Sequence, residues 1–234
     1  MNNVASGSIT ATNVTKVYHL EHVRIDVLRN VNIQVQLGRS VSIMGASGAG
    51  KSTLLHTLGG LDKPTGGQVC LNGEDIYCVA SRRRNQLRAL EFGFVFQSFH
   101  LLPELDVLDN VILPALSQRG ALARREEIRV RGRELLEQVG LGARMHHRPL
   151  EMSGGEQQRA SIARALMNHP KYIFADEPTG NLDSNTGGHV LETLFEMVAR
   201  EGSALIMVTH NQEVAARCQT RFILRDGNLE DLVL

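Results

Sequence analysis

A chain of 234 residues, 42% hydrophobic and with a formal net charge of zero, is long enough for one packed α/β domain carrying an insertion. The neutral balance gives no reason to expect nucleic acid as a partner. Three scattered cysteines, Cys70, Cys78 and Cys218, exclude a disulfide framework or a cysteine zinc site and suit a reducing compartment. No apolar run approaches the roughly 18 residues of a bilayer span, and the first residues lack the charged-then-apolar pattern of a secretory leader.

Residues 9–37 read as β structure, and Val31-Asn-Ile33-Gln-Val35-Gln alternates with the period of a half-buried strand. Tyr18 lies in this stretch. Its ring is a candidate to stack on an adenine, with an ordinary packed or surface tyrosine as the alternative. Gly38-Arg39 turns the chain into Val41-Ser-Ile43-Met44, a buried strand.

That strand leads into Gly45-Ala46-Ser47-Gly48-Ala49-Gly50-Lys51-Ser52, the pattern G-x-x-x-x-G-K-[ST], and a helix is predicted from Thr53 to Leu58. The glycines let the backbone wrap around phosphate oxygens, and the N–H groups at the helix start form an anion nest. Lys51 reaches for the β- and γ-phosphates of a nucleotide, and Ser52 for its Mg²⁺.

Gln68 to Leu71, followed by Asn72-Gly73, is a strand with a tight turn. Arg82-Arg83-Arg84 reads as a solvated helix face. The apolar run Phe94-Val-Phe96 ends at Gln97, whose amide is placed to sense Mg²⁺ or an attacking water. Residues 101–150 change character: a helical face runs from Arg124 to Val139 and stops at Gly140, an insertion between sheet segments.

Ser153-Gly154-Gly155-Glu156 fits a capping box opening a helix that runs to about Asn168. With Gln157 it makes a second hydroxyl- and glycine-rich helix start, hence a second anion site. One ATP does not easily use two such nests of one chain. A head-to-tail dimer, with each ATP between one subunit's loop and the other's Ser153 helix, is the economical solution.

Tyr172 to Ala175 is a short apolar strand ending in Asp176-Glu177. A carboxylate at the end of a buried strand is costly unless paired or hydrogen-bonded. Asp176 is placed to support Mg²⁺, and Glu177 to polarise the attacking water. A helix from Asn185 to Arg200 ends at Gly202, Ala204 to Val208 is another buried strand, and His210 after it is a candidate to orient the water at the γ-phosphate. Asp226-Gly227 marks a terminal hairpin with a type I′ turn.

From about Val14 to Leu229 the order of these motifs resembles an ABC-transporter ATPase subunit. Leu54-Leu55-His56 with Gly59-Gly60-Leu61-Asp62, Gly93 to Pro103, and Phe174 to Asp183 narrow the resemblance to the LolD, MacB and YbbA group. The resemblance implies a P-loop ATPase core with an antiparallel β subdomain, all in one ATP-binding domain over residues 1–234, with a helical subdomain at about 101–168. It implies ATP and Mg²⁺ as cofactors, the metal held by Ser52, Gln97 and Asp176. The ATP site is implied to comprise Tyr18 and Gly45 to Thr53, with Glu177, Gln97 and His210 catalytic. Ser153 to Gln157 are implied to be the signature facing the partner subunit's ATP, and Asn181, Leu182 and Asp183 the D-loop. Two departures stand out: Met152 precedes the signature where leucine is commoner, and Asn211 follows the histidine where aspartate is usual.

The implied activity is ATP hydrolysis driving a separate membrane subunit of the LolC/LolE, MacB or FtsX-like type. Lipoprotein release or a related MacB-type mechanical transmission is the leading expectation, and an FtsE-like signal relay without cargo the alternative. The subunit is expected as a homodimer on ATP binding, on the cytoplasmic face of the bacterial inner membrane. The membrane subunit is expected to dock near Gln97–Asp109, with Phe99, Leu101 and Leu102 giving apolar contact and Glu104, Asp106 and Asp109 meeting basic residues; internal packing of the helical lobe is the alternative for those apolar residues. DNA-repair and chromosome-organising relatives need long coiled coils or zinc insertions, for which the chain has no room.

Overall fold

The computed structural model describes residues 7–20 and 23–232; the amino-terminal reading concerning a leader lies outside them. The chain forms two compact units, Met1–Arg88 with Ala204–Leu234, and Ala89–Ser203.

In the first unit, β1 (Ser8–Leu20) and β2 (Val23–Gln36) pair antiparallel, and β1 pairs on its other side with β4 (Gly66–Leu71), which carries the short β5 (Glu74–Asp75). Val31, Ile33 and Val35 of β2 are buried while the residues between them are exposed, the alternation of a sheet with one dry face. β3 (Ser40–Met44) runs parallel to both β8 (Ala204–Thr209) and β9 (Thr220–Arg225), and β10 (Asn228–Asp231) closes a hairpin on β9. Every residue of β8 is buried, as expected of a strand inside a parallel sheet. Asp226 and Gly227 at the hairpin have φ +47° and +78°, the type I′ geometry expected there. α1 (Lys51–Leu58) follows β3, α7 (Gln212–Ala216) follows β8, and α2 (Ser81–Glu91) begins in this unit.

In the second unit, β6 (Phe92–Val95) pairs parallel with β7 (Tyr172–Asp176). Phe92, Phe94, Tyr172 and Phe174 form a ring cluster across the pair. Between the strands lie α3 (Val107–Leu116), α4 (Arg125–Gln138) and α5 (Gly154–Leu166), joined by short 3₁₀ turns, and α6 (Ser184–Glu201) follows β7. The insertion expected at 101–150 is therefore helical. Gly140, with φ +72°, follows the Val139 C-cap of α4, and Gly202, with φ +67°, is the C-cap of α6, both glycines in the left-handed region that ends helices.

Candidate functional site

The loop between β3 and α1 is built around positive-φ glycines. Gly50, at φ +96°, is the N-cap of α1 and supplies no side-chain cap. A Cβ on Gly50 would lie 2.8 Å from Val27 Cγ1, so glycine is required by space as well as by conformation. The first-turn N–H groups of α1 have no intrahelical acceptor, and the N-cap Gly50 offers them no side chain. Lys51 is 8% exposed, and its Nζ donates to the carbonyls of Gly45 (3.0 Å) and Ala46 (3.1 Å). The lysine thus folds back along its own loop, a buried cation held by carbonyls. A cavity of about 530 Å³ adjoins the outer side of the loop, lined by Gly45 to Ala49, Ile25 to Val27, Arg29 and the β9–β10 hairpin.

Tyr18 is half-exposed on β1. Its hydroxyl donates to Asp62 Oδ2 (2.5 Å) and shares a hydrogen bond with Thr53 of α1. Lys16 Nζ lies 4.7 Å from the ring centroid and forms an ion pair with Asp62. One ring face therefore carries a cation, and the hydroxyl ties the ring to the helix that follows the phosphate loop. Burial first, then the hydrogen bond to Asp62, raises the Tyr18 pKa. Burial would raise Asp62, but bonds from Lys16 and Tyr18 outweigh it and hold the carboxyl below its usual range.

His210 follows directly on β8 and is exposed. Asn211 accepts from the amides of Glu213 (2.9 Å) and Val214 (3.3 Å). The asparagine oxygen therefore caps α7 as an aspartate oxygen would.

The second unit brings together Gln97, Asn181, Glu177 and the signature. Gln97 Nε2 donates to Asn181 Oδ1 (3.0 Å), and Asn181 Nδ2 donates to the Gln97 carbonyl (3.0 Å). A Cβ on Gly180 would sit 2.7 Å from Gln97 Nε2, so that glycine admits the amide. Glu177 has φ +44°. A left-handed non-glycine residue next to a strand-end carboxylate is backbone strain of the kind that collects at functional positions.

Gln158 of α5 is fully buried, and its Nε2 donates to the carbonyls of Phe96 (3.2 Å) and Pro178 (2.7 Å). One side chain thus holds the residue before Gln97 and the residue after Glu177. Sequence reasoning missed it; the available signal was a glutamine within the apolar face of the signature helix.

Ser153 and Glu156 form the predicted capping box. Ser153 Oγ accepts from the Glu156 amide (3.3 Å), and Glu156 Oε2 accepts from the Ser153 amide (2.8 Å) and hydroxyl (2.9 Å). The backbone bond from Ser153 leads the causes that hold the Glu156 carboxyl below its usual pKa. The signature glycines also have a packing reason that their reading as an anion nest did not include. A Cβ on Gly155 would meet Thr186 Cγ2 at 2.3 Å, and one on Gly154 would meet Leu182 Cδ2 at 3.1 Å. The start of α5 thus lies close against the D-loop and the first turn of α6. Asp183 caps α6 by accepting from the Thr186 amide (3.0 Å). Met152, in the place of the commoner leucine, is buried.

The expected docking segment differs in one respect. Asp106 Oδ1 caps α3 by accepting from the Asp109 amide (2.7 Å), and Asp109 pairs with Arg129 (3.3 Å). Both carboxylates serve the chain's own structure, because a helix N-terminus and an arginine on α4 reach them first. Glu104 remains exposed, and Leu102 is 43% exposed. Phe99 is turned toward the signature, its Cζ 3.7 Å from where a Gly154 Cβ would lie.

The donors assigned to Mg²⁺ are a hydroxyl (Ser52), a carboxylate (Asp176) and an amide oxygen (Gln97). All are hard oxygen ligands suited to Mg²⁺ bound together with phosphates.

Comparison with known proteins yields a match to the family model described as ABC transporter over residues 28–180. The lipoprotein-releasing system ATP-binding protein LolD of Shewanella sp. (strain MR-4) is 48% identical over 217 residues, 93% of each chain. The macrolide export ATP-binding/permease protein MacB of Wolinella succinogenes is 44% identical over 92% of this chain, which spans 33% of that larger protein. Among solved structures, the ATP-binding cassette MJ0796, dimeric in a post-hydrolysis state with ADP and Pi, superposes with a TM-score of 0.86 at 40% identity. That match covers 97% of this chain and 99% of the other.

Proposed function

This chain belongs to the ABC transporter family, and we propose that it is the ATP-hydrolysing subunit of a bacterial complex whose membrane-spanning part is a separate protein. The observation that carries the reading is 48% identity, over 93% of both chains, to a lipoprotein-releasing ATP-binding protein, together with a glycine-rich loop that leads into α1 with Lys51 buried at its start. Lipoprotein release is accordingly the leading assignment of the work done. No described helix is long and apolar enough to cross a membrane. A motor that docks on a permease from the cytoplasmic face of the inner membrane fits that feature. Residues 1–234 act as one ATP-binding domain, with 101–168 as its helical lobe.

The chemistry follows from the residues. The amides of Gly48 to Thr53 and the Lys51 ammonium bind the phosphates, with Lys51 exchanging its bonds to the Gly45 and Ala46 carbonyls for phosphate oxygens. Tyr18 offers its second ring face to adenine. Ser52, Asp176 and Gln97 would hold Mg²⁺, which would supply positive charge to offset that developing on the phosphates. Glu177 accepts the proton of the attacking water as it adds to the γ-phosphorus and the bond to the ADP oxygen breaks. His210 orients that water and the γ-phosphate.

Ser153 to Gln157 close over the ATP of a second copy, for which the Ser153 hydroxyl leaves Glu156 and turns to the phosphate. Asn181, Leu182 and Asp183 accompany that closure. The membrane subunit seats near Gln97–Asp109, meeting Leu102 and Glu104. Co-purification of the chain with its permease from detergent-solubilised membranes, followed by ATP-dependent release of a lipoprotein from vesicles, tests the assignment. ATP-driven stimulation with no cargo moved in any such assay would favour a signal relay instead.

A further inference from the structure

Phe99 and His100 are consecutive residues in the left-handed region, at φ +58° and +50°, and neither is glycine. A residue with a Cβ is strained there, and two in a row persist only where their surroundings hold them. The side chain that grips both carbonyls of the bend lies on the signature helix. Arg164 Nη2 donates to the Phe99 carbonyl (2.6 Å), and Nη1 donates to the His100 carbonyl.

A guanidinium presents its N–H groups in a rigid planar fork, so one arginine can grip two successive carbonyls where a lysine cannot. Among the described residues Arg164 pairs with no carboxylate, and burial pulls its pKa below the usual value. Its acceptors among the described residues are the two carbonyls of the bend. The bend is also gripped elsewhere: the His100 ring lies 4.8 Å from that of Phe96, and the Phe96 carbonyl is held by Gln158, six residues earlier on α5.

We propose that Arg164 is a positioning residue that fastens the Phe99–His100 bend to α5. Gln97, just before the bend, and the signature, at the start of the same helix, then move as one piece when the bend is loaded. The inference rests on the ATPase reading above and adds to it a second tie, beside Gln158, between the glutamine loop and the signature helix.

Arg164→Met keeps most of the side-chain volume and removes every donor. The expected result is a fall in kcat of about ten- to a hundredfold, the scale of a misplaced catalytic group, with the KM for ATP within about twofold because the phosphate loop is untouched. Glycine adopts positive φ without a Cβ penalty. Adding His100→Gly to Arg164→Met is therefore expected to recover at least about threefold of the lost kcat, more than the same change yields in the wild-type background. A guanidinium that merely supported helix packing would give no such recovery.

Amide hydrogen exchange gives a readout independent of activity. Arg164→Met is expected to speed exchange across residues 98–102 about tenfold while leaving α1 unchanged. Should the methionine variant fail to fold, Arg164→Lys, which keeps the charge without the fork, carries the same comparisons. A wild-type protein without ATPase activity would remove the functional reading, and the exchange result would still decide the clamp. Unchanged exchange at 98–102, or a double variant no more active than Arg164→Met, would overturn it.

Discussion

Gln97 and Asn181 hold each other by two hydrogen bonds, amide to amide and amide to carbonyl, each 3.0 Å long. The glutamine assigned to the metal and the first residue of the D-loop are thus a reciprocal pair. A double-mutant cycle in kcat is the appropriate test. Gln97→Ala and Asn181→Ala should each lower kcat, and the double variant should lose about 0.5–3 kcal/mol less activation free energy than the sum, the range for residues in direct contact. Strict additivity would separate the two roles.

Glu177→Gln keeps size and hydrogen bonding but removes the base. ATP binding, followed by a fluorescent nucleotide, should be retained. Turnover should fall by about 10²–10⁴, the usual contribution of a general base. Near-normal phosphate release would remove Glu177 from that role.

Tyr18→Ala should weaken ATP binding by roughly 1–3 kcal/mol, the scale of base–aromatic stacking. The hydroxyl bonds to Asp62 and Thr53 alter the expectation for Tyr18→Phe. It keeps the stacking face yet loses hydrogen bonds worth about 0.5–1.5 kcal/mol of stability. Calorimetric titration and a melting curve distinguish the two losses; equal damage to ATP affinity in both variants would exclude stacking.

Gly155→Ala drives a methyl to within 2.3 Å of Thr186 Cγ2. Overpacking of this kind costs about 1–3 kcal/mol. Thr186→Ser removes the opposing methyl and should restore much of the loss, read as a urea midpoint. A glycine needed only to approach phosphate would show no rescue.

Much of this site is legible in the sequence because it is local. The phosphate loop, the Ser153–Glu156 box and the Asp226-Gly227 turn are each set within a few residues by backbone conformation and capping. What sequence does not reveal are contacts across long separations. Gln97 meets Asn181 across 84 positions, and Arg164 meets Phe99 across 65. Asp109 reads as a charge for a partner because nothing near it announces Arg129, twenty positions on. Asp106, just before the apolar Val107-Leu108, instead carries a local N-cap signal that the sequence reading leaves unused. The left-handed Glu177, Phe99 and His100 carry no glycine or asparagine to signal their conformation.

The carboxylates predict a pH dependence. Burial alone would raise Glu201, but hydrogen bonds from Arg131 (2.5 Å) and His169 (2.7 Å) hold it below its usual range, as Lys16 and Tyr18 do for Asp62. A depressed folded-state pKa contributes stability that is fully present above the unfolded value, about 4, and is lost as pH falls through the folded value. Urea midpoints should therefore hold between pH 7 and about 5 and decline below about 4. Glu201→Gln should lower the midpoint at pH 7 and make the acid loss shallower.

Phosphate release by the purified chain, with ATP and Mg²⁺ and followed against protein concentration, tests the central claim most directly. Two copies sharing each ATP predict a rate that climbs more steeply than linearly at low concentration and vanishes in Lys51→Ala. Release no greater than that of Lys51→Ala at every concentration would contradict the ATPase, and strictly linear release would contradict the shared site.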